Sequence, residues 1–207
     1  MVTQINAVSR PNCPQCLYAA NACLCAKLRR MSTEVEVIVL QDPTEVNHAK
    51  NSVKLMRSVL PNLQVVVGET AADFSALREQ LASTNKAIFL LYPSEQSQSL
   101  SAQTTSDNVI LLLLDGTWRK AYKLLQLNPW LLDYPAVHLD LTEASHYTIR
   151  KAKREDSLST LEATAMAIKA VEPSTDVAPL TDALAALVEQ RLQAMPALVR
   201  ARYKGSK

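Results

Sequence analysis

Short stretches of aliphatic and β-branched residues recur along the chain at 35–40, 63–67, 87–92, 109–114 and 136–141, and they read as strands. Between them apolar positions return at helical spacing. Residues 46–60 carry Val53, Leu55, Met56 and Leu60 and stop at Pro61, residues 71–81 repeat Phe74, Leu77 and Leu81, and residues 118–127 repeat Tyr122, Leu125 and Leu127. Further helices are predicted over 161–171 and 180–194. Strands that alternate with helices and are almost continuously apolar, as in 110–114, predict an α/β domain whose sheet is mostly parallel and covered on both faces. Ligands of such sheets bind beyond the C-terminal strand ends. Chemistry is therefore expected at 41–51, 93–96, 115–119 and 142–160. The Ser-, Gln- and Thr-rich stretch 94–107 reads as a flexible loop and candidate lid, and 173–179 is a break before the C-terminal helix.

Composition narrows the class. A chain of 207 residues with 48% hydrophobic and 20% charged residues suits one domain with a real core plus a short appendage, here 1–32 ahead of a domain at 33–207. Its longest purely apolar run, 109–114, is far below the roughly 20 residues of a membrane span. The first ten residues hold no apolar stretch of signal-peptide length, so a cytoplasmic protein with reduced thiols is expected. With glycine only at Gly68, Gly116 and Gly205, neither a dinucleotide-binding G-x-G-x-x-G nor a Walker A loop is possible. That disfavours phosphate-cradling cofactors and leaves room for a nucleoside cofactor without phosphates.

Net charge is only +2, but it is unevenly spread. Arg10, Lys27, Arg29 and Arg30 lie in an acid-free N-terminal stretch, Arg191, Arg200, Arg202, Lys204 and Lys207 in an acid-free C-terminal one, and Arg150, Lys151, Lys153 and Arg154 cluster between predicted elements. Each cluster alone reads equally as solubilising charge; together they point towards RNA.

All the cysteines fall in one short segment, as Cys13-Pro-Gln-Cys16 and Cys23-Leu-Cys25. A C-x2-C pair followed by C-x-C supplies four thiolates, the number a closed tetrahedral structural zinc site takes. Reduced structural cysteines, a redox pair and iron–sulfur ligation are the alternatives. Bound metal would order this segment, and its basic flanks would suit nucleic-acid phosphate.

Further along, Asp115-Gly116-Thr117-Trp118 follows a fully apolar strand. Asp-Gly is common turn chemistry, yet a carboxylate at a strand's C-terminal end also stands where α/β folds place catalytic groups. Ser159-x-x-Glu162 forms a capping box opening the 161–171 helix, whose N-terminal amides suit a ligand carboxylate.

Three ordered motifs, the cysteine pattern, Asp115-Gly-Thr-Trp118 after an aliphatic strand, and Tyr147-x-Ile149-Arg150 leading to Leu158-Ser-Thr-Leu-Glu-Ala163, resemble the DTW-domain family over roughly residues 10–195. The segment from Gln41 through Glu45 to Ser52 is similar to that family's loop after the first strand, with a departure at Asp42. Members of the family include a bacterial transfer-RNA uridine aminocarboxypropyltransferase, and the resemblance implies a SPOUT-like α/β fold with a knotted C-terminal cofactor site. The implied reaction moves the 3-amino-3-carboxypropyl group of S-adenosylmethionine to uridine N3 and releases methylthioadenosine. Asp115 is then the expected catalytic group, accepting the N3 proton or polarising the uracil. Leu91, Tyr92, Pro93, Leu114, Gly116, Thr117, Trp118, Leu158, Ser159, Thr160 and Leu161 are expected around the cofactor. Arg10, Arg29, Arg30, Arg119, Arg150, Lys151, Lys153 and Arg154 are expected against tRNA. An RNA methyltransferase of the same superfamily and a non-catalytic zinc-bearing RNA-binding protein are the alternative readings.

Overall fold

Successive side chains of a strand point to opposite faces, so a strand apolar at every position asks for cover on both. The computed structural model, which describes residues 11–48, 51–100, 108–140 and 158–204, supplies it. Strands β1 (Glu36–Gln41), β2 (Leu63–Val67), β3 (Ala87–Leu91), β4 (Gln98–Ser99), β5 (Val109–Asp115) and β6 (Ala136–His138) form one sheet in the order β2-β1-β5-β3-β6-β4. Every pairing in it is parallel.

On one face Val37, Val39, Leu111 and Leu113 pack against α1 (Val53–Val59), α4 (Thr160–Val171) and α5 (Ala178–Gln193). Ile38, Leu40, Ile110 and Leu112 face the other way, onto α2 (Ser75–Ala82), α3 (Trp118–Leu127) and Trp130. At about 25 cal/mol per Å² of apolar surface, two such layers account for most of the gross stabilisation of a domain this size. A last helix, α6 (Ala197–Lys204), follows α5. No helix among the described residues is long and apolar enough to cross a membrane.

The cysteine segment is not a tethered bead. Cys16, Tyr18 and Leu24 belong to the first core layer, and the Tyr18 hydroxyl donates to the Asn51 carbonyl at 2.9 Å. The Gln190 amide on α5 donates to Ala22 O at 2.9 Å, and Lys27 pairs with Glu189.

Departures from the sequence expectation have local causes. The helix expected over 46–60 starts only at Val53, because Asn51 donates to the carbonyls of Glu45 and Val46 and accepts from Val53 N, fixing a non-helical approach. Helix α2 starts at Ser75 rather than 71, since the Asp73 carboxylate gathers the amides of Glu69 and Thr70 into a turn. Within 94–107, read as a loop, Gln98 and Ser99 pair with Val137 and His138 as an edge strand. The strand expected over 136–141 ends at His138. The expected knot turns on 141–157, which lie outside the described residues, as do Arg10, Tyr147, Ile149, Arg150, Lys151, Lys153 and Arg154.

Candidate functional site

The C-terminal ends of β1 and β5 stand side by side, with Gln41 and Asp115 in register. Asp115 is only 8% exposed, and both of its oxygens accept hydrogen bonds: Oδ2 from Gln41 Nε2 at 2.7 Å and Oδ1 from the Thr160 hydroxyl at 2.5 Å. A buried carboxylate needs such donors. The result is an anchor that joins the exits of two strands to the first turn of α4. Ser159 caps that helix and Glu162 returns the bond, so the capping box read from the sequence is present.

Next to Asp115, Gly116 lets α3 begin at close quarters, for a Cβ at this position would lie 2.9 Å from Lys120 Cβ. Thr117 caps α3 by accepting from Lys120 N. Lys120 in turn reaches Thr44 Oγ1 at 2.6 Å and Glu45 Oε1 at 2.7 Å, holding α3 to the loop after β1. Asp42 caps that loop by accepting from Thr44 N. Burial would raise its carboxyl, but the bonds from Thr44 and the Lys120 charge outweigh burial and hold it below the usual carboxylate range.

Beyond these strand ends opens a cavity of about 480 Å³, in the size range of small-molecule sites. Of the residues expected around a cofactor, Leu91, Tyr92, Pro93, Leu114, Gly116, Trp118, Leu158, Ser159 and Thr160 line it. Thr117 does not, being turned to its capping role, and neither does Leu161, which is fully buried in the first core layer. Asp115 stands behind the wall rather than in it. The expected set lacked Leu113, Ala121, His138, Leu139 and Ala163, which complete the lining among the described residues. His138 had a usable signal, an ionisable residue within a predicted strand.

An aromatic rim borders the cavity. Trp118 is 46% exposed and meets Tyr92 edge-on at 6.3 Å, and Tyr122, one turn further along α3, is 56% exposed. Burial, and secondarily Tyr122, pushes the Tyr92 phenol above its ordinary value, so it stays neutral.

The basic residues divide. Arg29 pairs with Asp176 at 3.4 Å and Asp182 at 3.2 Å, so part of the N-terminal charge is answered by acids beside and on α5. Arg30 lines a groove of about 290 Å³ with Arg57. Arg119 is exposed on α3 beside Trp118.

A second constellation lies in the cysteine segment. The sulfurs of Cys13, Cys16, Cys23 and Cys25 all lie within 4.8 Å of one another, with separations of 3.5 Å (Cys13–Cys23), 3.6 Å (Cys13–Cys25) and 3.8 Å (Cys16–Cys23). Four thiolates at about 2.3 Å from a tetrahedral zinc stand about 3.8 Å apart. These spacings fit a metal and are far too long for disulfides. Amides of Cys16 and Gln15 lower the Cys13 thiol to about 6, whereas its bonding to Cys23 and then burial push Cys25 to about 12. Thiols this close resist ionising together without a cation. Leu17, between the ligand pair and Tyr18, adopts a left-handed φ of 61°, a strained conformation for a branched side chain.

Comparison with known proteins agrees with this arrangement. A family model described as the DTW domain matches residues 10–192. Proteins named tRNA-uridine aminocarboxypropyltransferase 2 are similar to the chain. That of Mus musculus is 26% identical over 174 residues, 81% of this chain and 58% of its own length. That of Macaca fascicularis is 28% identical over 174 residues, 80% and 58% respectively. The Drosophila melanogaster protein is 28% identical over 171 residues, 79% of this chain and 67% of its own. The chain thus spans under six-tenths of the length of the mouse and macaque relatives. With the match running from the cysteine cluster through the Asp115–Trp118 turn and the α4 cap into α5, the chain belongs to the DTW domain family.

Proposed function

We propose that this chain is a tRNA-modifying transferase that takes S-adenosylmethionine and tRNA and places the 3-amino-3-carboxypropyl group on N3 of a uridine, with methylthioadenosine as the second product. The observation that carries this reading is the cavity beyond β3, β5 and β6, in a chain whose relatives are named tRNA-uridine aminocarboxypropyltransferase 2. Its aliphatic walls suit an adenosine and thioether, and the first turn of α4 brings amides and hydroxyls suited to an amino-acid carboxylate. Trp118 and Tyr122 offer stacking faces to an unpaired base at the rim, with Arg119 alongside for phosphate.

In this reading Asp115 is a positioning residue, holding the lining residues Leu114, Gly116 and Thr160 at fixed separation. The choice between aminocarboxypropyl and methyl transfer is then one of orientation, since both carbons flank the same sulfonium. The cysteine cluster holds a structural zinc through Cys13, Cys16, Cys23 and Cys25, leaving no open coordination position for a reaction.

The test is to incubate the protein with unmodified tRNA and S-adenosylmethionine, digest the RNA and weigh its nucleosides. A uridine heavier by one aminocarboxypropyl group, with methylthioadenosine released one for one, is expected. A nucleoside heavier by a methyl group, with S-adenosylhomocysteine released, would make the protein a methyltransferase. RNA binding indifferent to S-adenosylmethionine, with no heavier nucleoside, would make it a binding protein.

A further inference from the structure

Uridine N3 carries a proton that must leave when the aminocarboxypropyl group arrives, and the cavity has few groups able to take it. Among the described residues its lining contains two ionisable side chains, Tyr92 and His138. Tyr92 is disfavoured as an acceptor because burial keeps its phenol protonated. Asp115 lies behind the wall with both oxygens engaged.

His138 ends β6, and the Ser97 contact bears on its tautomer. The Ser97 hydroxyl donates its single proton to Ser94 O at 2.7 Å and accepts from Ser94 N at 3.0 Å. With the hydroxyl proton on Ser94 O, the shorter of its two contacts, the 3.0 Å contact with His138 Nδ1 runs from Nδ1–H to the hydroxyl oxygen. A neutral imidazole with its proton on Nδ1 has a lone pair on Nε2. Asp140 Oδ1 lies 3.7 Å from Nε2, too far for a hydrogen bond. The three residue types are those of a hydrolase triad, but the ring contacts are reversed, with the serine on Nδ1 and the carboxylate beside Nε2.

We infer that His138 Nε2 is the base that accepts the uridine N3 proton, with Ser97 and Asp140 as its positioning residues. This rests on the transferase reading proposed above. As the N3–H bond breaks towards Nε2, the N3 electron pair forms a bond to the Cγ carbon of the donor's aminocarboxypropyl chain. The Cγ–sulfur bond breaks with its electrons left on sulfur. The sulfonium becomes the neutral thioether methylthioadenosine, and its positive charge is matched by the imidazolium, which returns its proton to water.

Two experiments test this. Nitrogen NMR of the histidines in the full chain, assigned with His138→Gln, should show Nε2 of His138 as the unprotonated nitrogen at neutral charge; a ring protonated on Nε2 instead would overturn the argument. Single-turnover transfer by His138→Gln should fall about 100-fold or more with ordinary tRNA, with tRNA and S-adenosylmethionine affinities and melting temperature close to wild type. Transcripts carrying 5-fluorouridine, whose N3 proton is more acidic, should recover most of that loss. An equal deficit on both RNAs would mark His138 as structural and overturn the inference, as would near wild-type transfer by the variant. Asp140→Asn provides a second variant, with a smaller loss also relieved by 5-fluorouridine. Wild-type protein that transfers nothing would instead overturn the transferase reading on which the inference rests.

Discussion

The cysteine cluster and the strand-end cavity are built on opposite plans. Thirteen consecutive residues bring four sulfurs together, and their geometry depends on one tight turn at Leu17 and short-range backbone bonds such as Cys13 N to Tyr18 O. Among the described residues the cavity takes its walls from four separated stretches, near 91–93, 113–121, 138–139 and 158–163, and parallel strand register places the first three. A local cluster of this kind is expected to gain stability from a bound metal in addition to its packing on the first core layer, whereas the cavity draws its form from strand register and core alone. The two are expected to fail separately.

The largest expected effect is on the cysteine side. Cys16 is completely buried and its segment lines the first core layer, so Cys16→Ser, or stripping by a strong chelator, should cost several kcal/mol. For a domain of this size that is a fall on the order of 10 °C in melting temperature. Scanning calorimetry with and without chelator, alongside elemental analysis giving one zinc per chain, checks it. An unchanged melting temperature would reduce the cluster to ordinary reduced cysteines.

On the cavity side, Asp115→Ala removes a carboxylate that accepts two buried bonds, each worth about 1.5–3 kcal/mol to a charged acceptor. Melting temperature and S-adenosylmethionine affinity should fall together. Asp115→Asn should show a smaller version of both, because one amide oxygen remains to accept. A base at Asp115 predicts something different, an Asn variant that binds and melts normally but has lost transfer. Calorimetric affinity and single-turnover rate on the same preparation separate the two.

This contrast also marks how far the sequence could be read. Both constellations were visible in it, the cysteines by spacing alone and the cavity through the Asp115–Trp118 and Leu158–Ala163 motifs. Strand pattern was legible because the central strands are apolar at nearly every position, as two-sided cover demands. What escaped was decided by side-chain bonding. Asn51 and Asp73 delay two helices with hydrogen bonds that periodicity does not encode. His138 escaped because the strand was read as running to 141, which put the search for chemistry beyond it; the strand ends at His138 itself. Asp115 was legible as a strand-end carboxylate, but its burial depends on Gln41 and Thr160, 74 and 45 residues away.

A smaller effect follows pH. Glu172, which accepts from Thr33, Glu34 N and Thr175, is held below its usual value: burial opposes this, but those bonds outweigh it. Asp42 is lowered in the same way beside the cavity. Carboxyls depressed in the folded state add stability that is present above their unfolded values, about 4, and is lost as pH falls through the lower folded values. Urea melts between about pH 5 and 2 should show this decline, and Glu172→Gln should flatten it. The smallest effect concerns Leu17. Replacing it with glycine relieves the left-handed strain and should stabilise the cluster by up to about 1 kcal/mol, seen as a rise of a few degrees in melting temperature.

On the proposed reading, S-adenosylmethionine binds in the strand-end cavity and not at the cysteine cluster. Calorimetric titration of the wild-type chain, Ala163→Phe and Cys16→Ser tests it most directly, since Ala163 lines the cavity and a phenyl ring there would occupy it. One site per wild-type chain is expected, with affinity weakened by at least about tenfold in Ala163→Phe and Cys16→Ser within about threefold of wild type at a temperature where it is folded. Unaltered affinity in Ala163→Phe, or loss of binding confined to Cys16→Ser, would contradict it.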